Sequence, residues 1–321
     1  MIIAIIGGGA SGMAAALAAA ENKDAQVILL ERQARVGRKL QATGNGRCNL
    51  SNLHADKQGY HGQNPQFVDP AISAFPPKAT LAWFASLGLF TVTEDSGKVY
   101  PYSDQANSVV DVLRLSLVKE NITLKTGYEV TKIQKTEAGF QITNGEEPVI
   151  CDKLIIACGG LAGSKLGGTM AGYKLLAKLG HRSTKLRPSL VQIKSSWPEL
   201  PSLKGVRTNC HVEILCNGEI YAQSTGELQL TEHGISGPVV FEISRDVCAE
   251  RGKWTAKLDF LPGISAETLE AEIQRRRATN LPMEELLTGI LHNRLGRVLT
   301  KSAGIKGKQY VNQISNAELR E

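Results

Sequence analysis

The sequence predicts an α/β fold: a layer of parallel strands and helices over residues 1–186, a β-rich, barrel-like stretch over 187–261 and a small helical stretch over 262–321. Three observations predict it. A buried strand, a run of glycines and a small-residue helix open the chain. A second buried strand ending in small residues stands at 153–160. After Pro188 the pattern changes to short strands separated by polar turns.

The opening unit is the most informative. Ile2-Ile3-Ala4-Ile5-Ile6 is an apolar run long enough for one buried strand. It meets Gly7-Gly8-Gly9-Ala10-Ser11-Gly12, which fits G-x-G-x-x-G with glycines at 7, 9 and 12. A helix is expected from Ser11 to about Ala20, then a second buried strand over Val27-Ile28-Leu29-Leu30, closed by Glu31. In such a Rossmann-like unit, Gly7 permits the tight turn out of the strand, Gly9 lets a pyrophosphate approach the backbone, and Gly12 lets helix and strand pack closely. The helix N-terminus, around Ala10 and Ser11, offers free N–H groups to phosphates. Glu31 follows Gly12 by 19 residues, a spacing that suits a carboxylate accepting hydrogen bonds from a ribose. That carboxylate repels a 2′-phosphate, which favours FAD or NAD over NADP. A signal peptide or membrane segment is a poor alternative, because basic residues are absent before the apolar run and glycines interrupt it.

Composition agrees. The chain has 321 residues, 42% of them hydrophobic, enough for a large core, and no apolar run long enough to span a bilayer. Its formal charge of +6 is scattered except for Arg275-Arg276-Arg277 and the lysines at 301, 306 and 308, so nucleic acid is not the expected partner. Six cysteines include no C-x-x-C pair and read as reduced thiols of a cytoplasmic protein. The histidines lack metal-ligand spacing, so no metal is expected.

After Glu31 comes a polar, glycine-punctuated loop from Arg32 to Asn52. Arg38, Lys39 and Arg47 can neutralise phosphate charge there, and Thr43 and Asn49 can hydrogen-bond phosphate or flavin. This loop also carries a family resemblance. Gly37-Arg38-Lys39, with Thr43-Gly44-Asn45-Gly46-Arg47-Cys48-Asn49 and the Glu31-Arg32 pair, resembles a family of bacterial NAD(P)/FAD-dependent oxidoreductases that includes aminoacetone oxidase-like and bile-acid-reductase-like flavoproteins. The resemblance implies bound FAD, a Rossmann-like FAD-binding domain, a β-barrel domain and a small helical insert domain. It implies cofactor contacts from Gly37, Gly44, Gly46 and Cys48 beside the residues already named.

Residues 66–120 read as mostly helical, with a broad apolar face over Gln105–Glu120 and a turn at Tyr100-Pro101-Tyr102. Ile122–Lys125 reads as a short strand; in flavoproteins of this class it extends the parallel sheet, and Val130 just beyond it can offer its backbone to the adenine. Lys132–Thr143 alternates like a β-hairpin turning near Ala138-Gly139. The strand at 153–156 ends in Ala157-Cys158-Gly159-Gly160, which resembles the second cofactor motif of flavoproteins with two dinucleotide-binding domains. Cys158 stands at its centre, either as a redox thiol or, the commoner case, as a small buried residue. Gly167-Gly168-Thr169 precedes an amphipathic helix ending near Gly180; Met170 and Ala171 depart from the family's more polar turn.

From Ser189 to Asp259 strands are expected at Leu190–Ile193, Val206–Leu215, Ile220–Gln223, Leu228–Leu230 and Trp254–Phe260. The run from Gly226 to Pro238 is similar to a family segment of the form G-E-x-x-x-T-x-x-G-I-S-G-P, whose glycines suggest a close approach to flavin or substrate. His233 within it is a loop histidine or, less commonly, a general acid. Helices are expected at Ala266–Arg277 and Met283–Leu299. The resembling family's chains run on to complete the barrel and return to the flavin, so this sequence reads as a fragment or a natural truncation.

The reading as a whole is an FAD-dependent oxidoreductase acting on a small organic substrate by amine oxidation or C=C reduction, with NAD(P)H as a transient donor. A flavin-dependent tRNA-modifying protein and a non-catalytic FAD-binding fragment are the alternatives. No catalytic residue is assignable from the sequence.

Overall fold

The structure, a computed structural model, describes residues 1–55, 59–249, 252–303 and 308–315. It divides into two compact units, Met1–Thr184 and Lys185–Glu321. Lys306 and the end of the expected helical stretch at Arg320 lie outside the described residues.

In the first unit, β1 (Ile2–Ile6), α1 (Ala10–Ala19) and β2 (Gln26–Glu31) form the opening strand–helix–strand unit. A short strand β3 (Ser51–Asn52), helices α2 (Asp69–Ala74) and α3 (Pro77–Ser86), strands β4 (Thr91–Thr93) and β5 (Lys98–Pro101), and helix α4 (Ala106–Ser116) follow. Then come β6 (Ile122–Thr126), β7 (Lys132–Thr136), β8 (Gly139–Thr143), β9 (Pro148–Cys151), β10 (Lys153–Ile156) and α5 (Ala171–Lys178).

Strands β10, β1, β2 and β6 lie side by side in that order, all parallel. Side chains alternate across a strand, so each of these strands feeds two cores. Ile5 and Leu29 join α1 and α4 on one face, with Met13, Leu17, Val109 and Leu113. Ala4, Ile6 and Leu30 join the three-stranded antiparallel sheet of β7, β8 and β9 on the other, with Ile133, Ile142 and Leu175 of α5. The alanines of α1 let the helix lie close to the sheet; Met13 and Ala16 are fully buried.

The stretch 66–120 is mostly helical, as expected, through α2, α3 and α4, and it also holds β4 and β5, which pair antiparallel and with β3 give a small sheet. Two expectations for this unit are corrected. Tyr100 and Pro101 are strand residues rather than a turn, with Tyr100 facing inward at 7% exposure. Helix α4 is also shorter than expected. Its buried residues Ala106, Val109, Val110 and Leu113 form one stripe at helical spacing, whereas Leu115 and Val118 are 59% and 82% exposed.

The second unit contains β11 (Ile193–Lys194), α6 (Leu200–Leu203), β12 (Arg207–Cys216), β13 (Glu219–Thr231), β14 (Gly234–Ser236), α7 (Pro238–Ala249), β15 (Trp254–Asp259), α8 (Ala266–Arg277) and α9 (Asn293–Ser302). Its strands form an antiparallel half-barrel in the order β11-β14-β13-β12-β15. Strands β12 and β13 make a long hairpin through Asn217-Gly218, both at positive φ (+54° and +96°), the backbone that a tight hairpin turn with matching twist requires.

Here too the structure differs from the sequence pattern. The two short strands expected at 220–223 and 228–230 are one strand, β13. The stretch 238–249, read as part of an all-β segment, is helix α7. Its β-branched Val239, Val240 and Ile243 suggest strand by residue type, but they pack at helical spacing under the sheet. The helix expected at 283–299 is a single tight turn, Met283–Glu285, followed by α9 from Asn293. Leu295 of α9 is fully buried in the half-barrel core, beside Leu228 and Leu230. No helix among the described residues is long and apolar enough to cross a membrane.

Candidate functional site

The glycine turn after β1 is set by contacts that leave room for nothing else. Gly7 has φ +111°, donates its N–H to the Leu30 carbonyl at 2.7 Å, and a Cβ there would sit 2.5 Å from the Ala157 carbonyl oxygen. A Cβ on Gly12 would sit 1.7 Å from the Gly7 carbonyl oxygen. At Gly9, the residue that caps α1, a Cβ would meet nothing within 4 Å. Three backbones therefore converge at Gly7 and Gly12, while Gly9 opens onto free space at the positive end of a 10-residue helix.

That space belongs to a cleft of about 370 Å³, all of whose lining residues come from the first unit. Gly7, Gly9, Ala10 and Ser11 form its floor. Glu31, Arg32, Gly37, Arg38, Lys39 and Thr43 line it from the stretch after β2. Val130 lines it after β6, and Ala157, Cys158 and Gly159 after β10. Strand β10 lies next to β1, so its exit necessarily meets the glycine turn: the Ala157 N–H donates to the Ile6 carbonyl at 2.8 Å.

Glu31 is 9% exposed and holds two backbone groups together. Its Oε2 accepts from the Gly8 N–H at 2.6 Å and its Oε1 from the Gln33 N–H at 2.7 Å. The carboxylate thus clips the glycine turn to the end of β2. The fingerprint does not single out Gly8, because its position there is free; its signal is the clash a Cβ would make with Val36 at 2.7 Å.

The cations of the cleft bind carbonyl oxygens across it. Arg32 donates to Gly167 O at 2.6 Å, Arg38 to Lys165 O at 3.4 Å and Lys39 to Gly160 O at 3.2 Å. Arg38 also donates to the Gln33 side chain at 2.9 Å, and Arg32 lies 3.8 Å from Glu129. These bonds tie the stretch after β2 to the glycine-rich turn 159–169. Sequence reasoning missed Gln33, Arg35, Leu166, Gly167 and Thr169 as lining residues. The glycines at 167 and 168 were the available signal: a Cβ at Gly168 would sit 2.2 Å from Ala162 O.

Seven of the expected site residues fall outside the cleft lining: Gly12, Gly44, Gly46, Arg47, Cys48, Asn49 and Gly160. Gly12 is a packing residue under the turn, and Gly160 meets the site only through its carbonyl bond to Lys39. Arg47, expected on the phosphate side, lies outside the cleft lining. Its guanidinium donates to Glu94 at 3.0 Å and to Asp104, and stacks on the Tyr100 ring at 3.9 Å from the centroid. Two carboxylates already satisfy the fork that a phosphate would use. The loop also folds back on itself, with the Cys48 N–H bonded to Thr43 O at 3.0 Å and Cys48 buried in the core at 2% exposure.

Cys158 contacts the Ile6 carbonyl at 3.6 Å, and burial, reinforced by the nearby Glu31 carboxylate, pushes its thiol pKa up. Its thiol is therefore protonated near neutral pH, unlike a nucleophilic cysteine. All six cysteines are free. His233 sits exposed in the turn between β13 and β14. The glycines of that segment serve strand contacts: a Cβ at Gly234 would sit 2.0 Å from Ile193 O. Among the described residues no group of three or more potential ligands could hold a metal ion.

Comparison with known proteins places this geometry in context. A family model described as the HI0933-like protein Rossmann domain matches residues 1–306. A 3-dehydro-bile acid delta(4,6)-reductase of Clostridium scindens is 40% identical over 305 residues, covering 91% of this chain and 73% of that protein. Ribosomal RNA dihydrouridine synthases of Escherichia coli and Haemophilus influenzae are 30% and 26% identical, over 99% and 98% of this chain and 75% and 78% of theirs.

Proposed function

This chain belongs to the HI0933-like Rossmann-domain family and is an FAD-dependent oxidoreductase; from that premise we propose that it reduces a carbon–carbon double bond conjugated to a carbonyl in a small organic substrate. The observation that carries the cofactor half of this reading is the open space in front of Gly9, framed by glycines that admit no side chain. A pyrophosphate fits there against the N–H groups of α1. Arg38 and Lys39 stand beside it and neutralise phosphate charge by exchanging carbonyl partners for phosphate oxygens. Glu31 keeps the turn in shape and presents carboxylate to the ribose side. When bound, the flavin supplies the hydride chemistry.

The substrate half rests on the relatives. The names of the bile-acid reductase and the dihydrouridine synthases each describe saturation of a double bond conjugated to a carbonyl. Conjugation makes the far carbon electrophilic, which is what a hydride donor requires. The reductase shares more identity with this chain than the synthases do, so a small molecule is preferred to RNA. NAD(P)H enters as a transient donor, since the described residues contain one strand–glycine–helix unit.

The test is anaerobic. Purified protein is expected to show a flavin spectrum, to bleach with NADH or NADPH, and to recover colour on adding a 3-oxo-Δ4 steroid. Recovery with uridine-containing ribosomal RNA alone would favour the second reading, an RNA-modifying enzyme, for which two synthase relatives speak. A colourless protein that cannot be loaded with FAD would sink the proposal. A further expected result concerns the cations. Charge-assisted contacts contribute about 1.5–3 kcal/mol each, so Lys39→Ala should weaken FAD binding by roughly ten-fold or more, read by flavin fluorescence.

A further inference from the structure

Arg47 lies in the most distinctive run of the sequence, yet it is not among the residues that line the cleft. The loop it belongs to has an unusual backbone. Gly44, Asn45, Gly46 and Cys48 all adopt positive φ, at +56°, +57°, +88° and +63°. For Asn45 and Cys48 this conformation is strained, and strain of this kind persists only where surrounding contacts hold it. Arg47 supplies contacts of this kind, beside the burial of Cys48 and its backbone bond to Thr43. Its guanidinium joins Glu94 just beyond β4, Asp104 just beyond β5 and the face of Tyr100 within β5. Asp104 is itself at φ +54°. A loop residue is thus pinned on three sides to the β3-β5-β4 sheet.

The consequence reaches the cleft within a few residues. Cys48, next to Arg47, is bonded through its N–H to Thr43 O at 3.0 Å, and the Thr43 hydroxyl donates to Leu40 O at 2.7 Å. Leu40 and Thr43 line the cleft. We propose that Arg47 is a positioning residue for the cofactor: it acts through the strained 40–49 loop and the β3-β5-β4 sheet, and does not contact the phosphates. The inference rests on the FAD reading above and goes beyond it.

Two kinds of variant separate this role from a direct one. Removing both acceptors, in the double variant Glu94→Ala with Asp104→Gly, leaves Arg47 in place but unpinned, and glycine keeps the positive φ at position 104 free of strain. A phosphate-binding Arg47 would be freed by that change, and FAD would bind as tightly as before or more tightly. A positioning Arg47 loses its anchor, and FAD binding weakens by about ten-fold or more. Arg47→Ala should show a similar loss. Arg47→Lys should fall between, because an ammonium cannot fork to both carboxylates.

The measurements are FAD dissociation constants by fluorescence at low and high salt, the visible spectrum of the bound flavin, and thermal unfolding of the apo-proteins. The expected pattern is weaker binding in the double variant with wild-type salt dependence, an altered flavin spectrum and little change in apo-protein melting. Unchanged or tighter binding in the double variant overturns the proposal, as does a melting shift with unchanged affinity. If wild-type protein itself fails to bind FAD, the functional reading fails instead. Should Arg47→Ala not fold, the lysine and double variants decide.

Discussion

Gly9→Leu should abolish tight FAD binding while leaving the apo-protein's melting temperature close to wild type. Gly9 has φ −78° and ψ −173°, an extended backbone that any residue adopts, so the substitution introduces no backbone strain. A Cβ there meets nothing within 4 Å, so it introduces no clash in the empty fold either. The penalty appears only when a pyrophosphate seeks the N–H groups of α1. Overpacking of this kind together with lost phosphate contacts amounts to about 3 kcal/mol, or roughly a hundred-fold in affinity. Paired measurements of FAD binding and thermal unfolding check it. Retention of stoichiometric FAD by the variant would show that the cofactor does not approach Gly9.

Gly12→Ala should have the opposite signature, a large loss of stability. The added methyl falls 1.7 Å from the Gly7 carbonyl oxygen, a backbone atom at the base of the turn. It cannot move away by changing a rotamer. Helix α1 would have to shift off the sheet, disturbing Met13, Ala16 and Leu17 in the core. A cost of about 3 kcal/mol or more follows, which lowers the melting temperature of a unit this size by roughly 6–12 °C. Differential scanning calorimetry of the apo-protein reads this directly. A variant that melts with the wild type would mean that α1 is free to slide. The two glycines stand three residues apart in one motif and are separated by these tests into a ligand-facing role and a packing role.

The opening unit was legible in the sequence because its logic is local. Strand, turn, helix and second strand are consecutive, and each glycine's task follows from its position between them. Strand β10 was legible for a related reason: a buried apolar run closing in Ala157-Cys158-Gly159-Gly160 marks a strand that ends where another backbone comes close. What escaped depends on partners far along the chain. Strands β3, β4 and β5 are two to four residues long and exist only because they pair with one another. Helix α7 was hidden by its β-branched residues, whose preference is overridden by packing under the half-barrel. At Arg47 a cation in a glycine-rich loop suggests phosphate, and the structure pairs it with carboxylates. Those partners, Glu94 and Asp104, lie 47 and 57 residues away, and nothing in the loop itself names them.

The Glu31 clip bears on how this cleft could be redesigned. Exchanging the acidic residue at the end of the second strand for a small or basic one is the obvious route toward nucleotides that carry a 2′-phosphate. In this protein the same carboxylate receives the Gly8 and Gln33 N–H groups, the first of them buried. Substitution would leave both donors without a partner, at about 1–3 kcal/mol for the buried one, and would loosen the turn on which the pyrophosphate rests. On the FAD reading proposed above, selectivity and scaffold would rest on one side chain, and nucleotide specificity would be buffered against single-step mutation. A switch would need compensating acceptors for both amides before the charge could change.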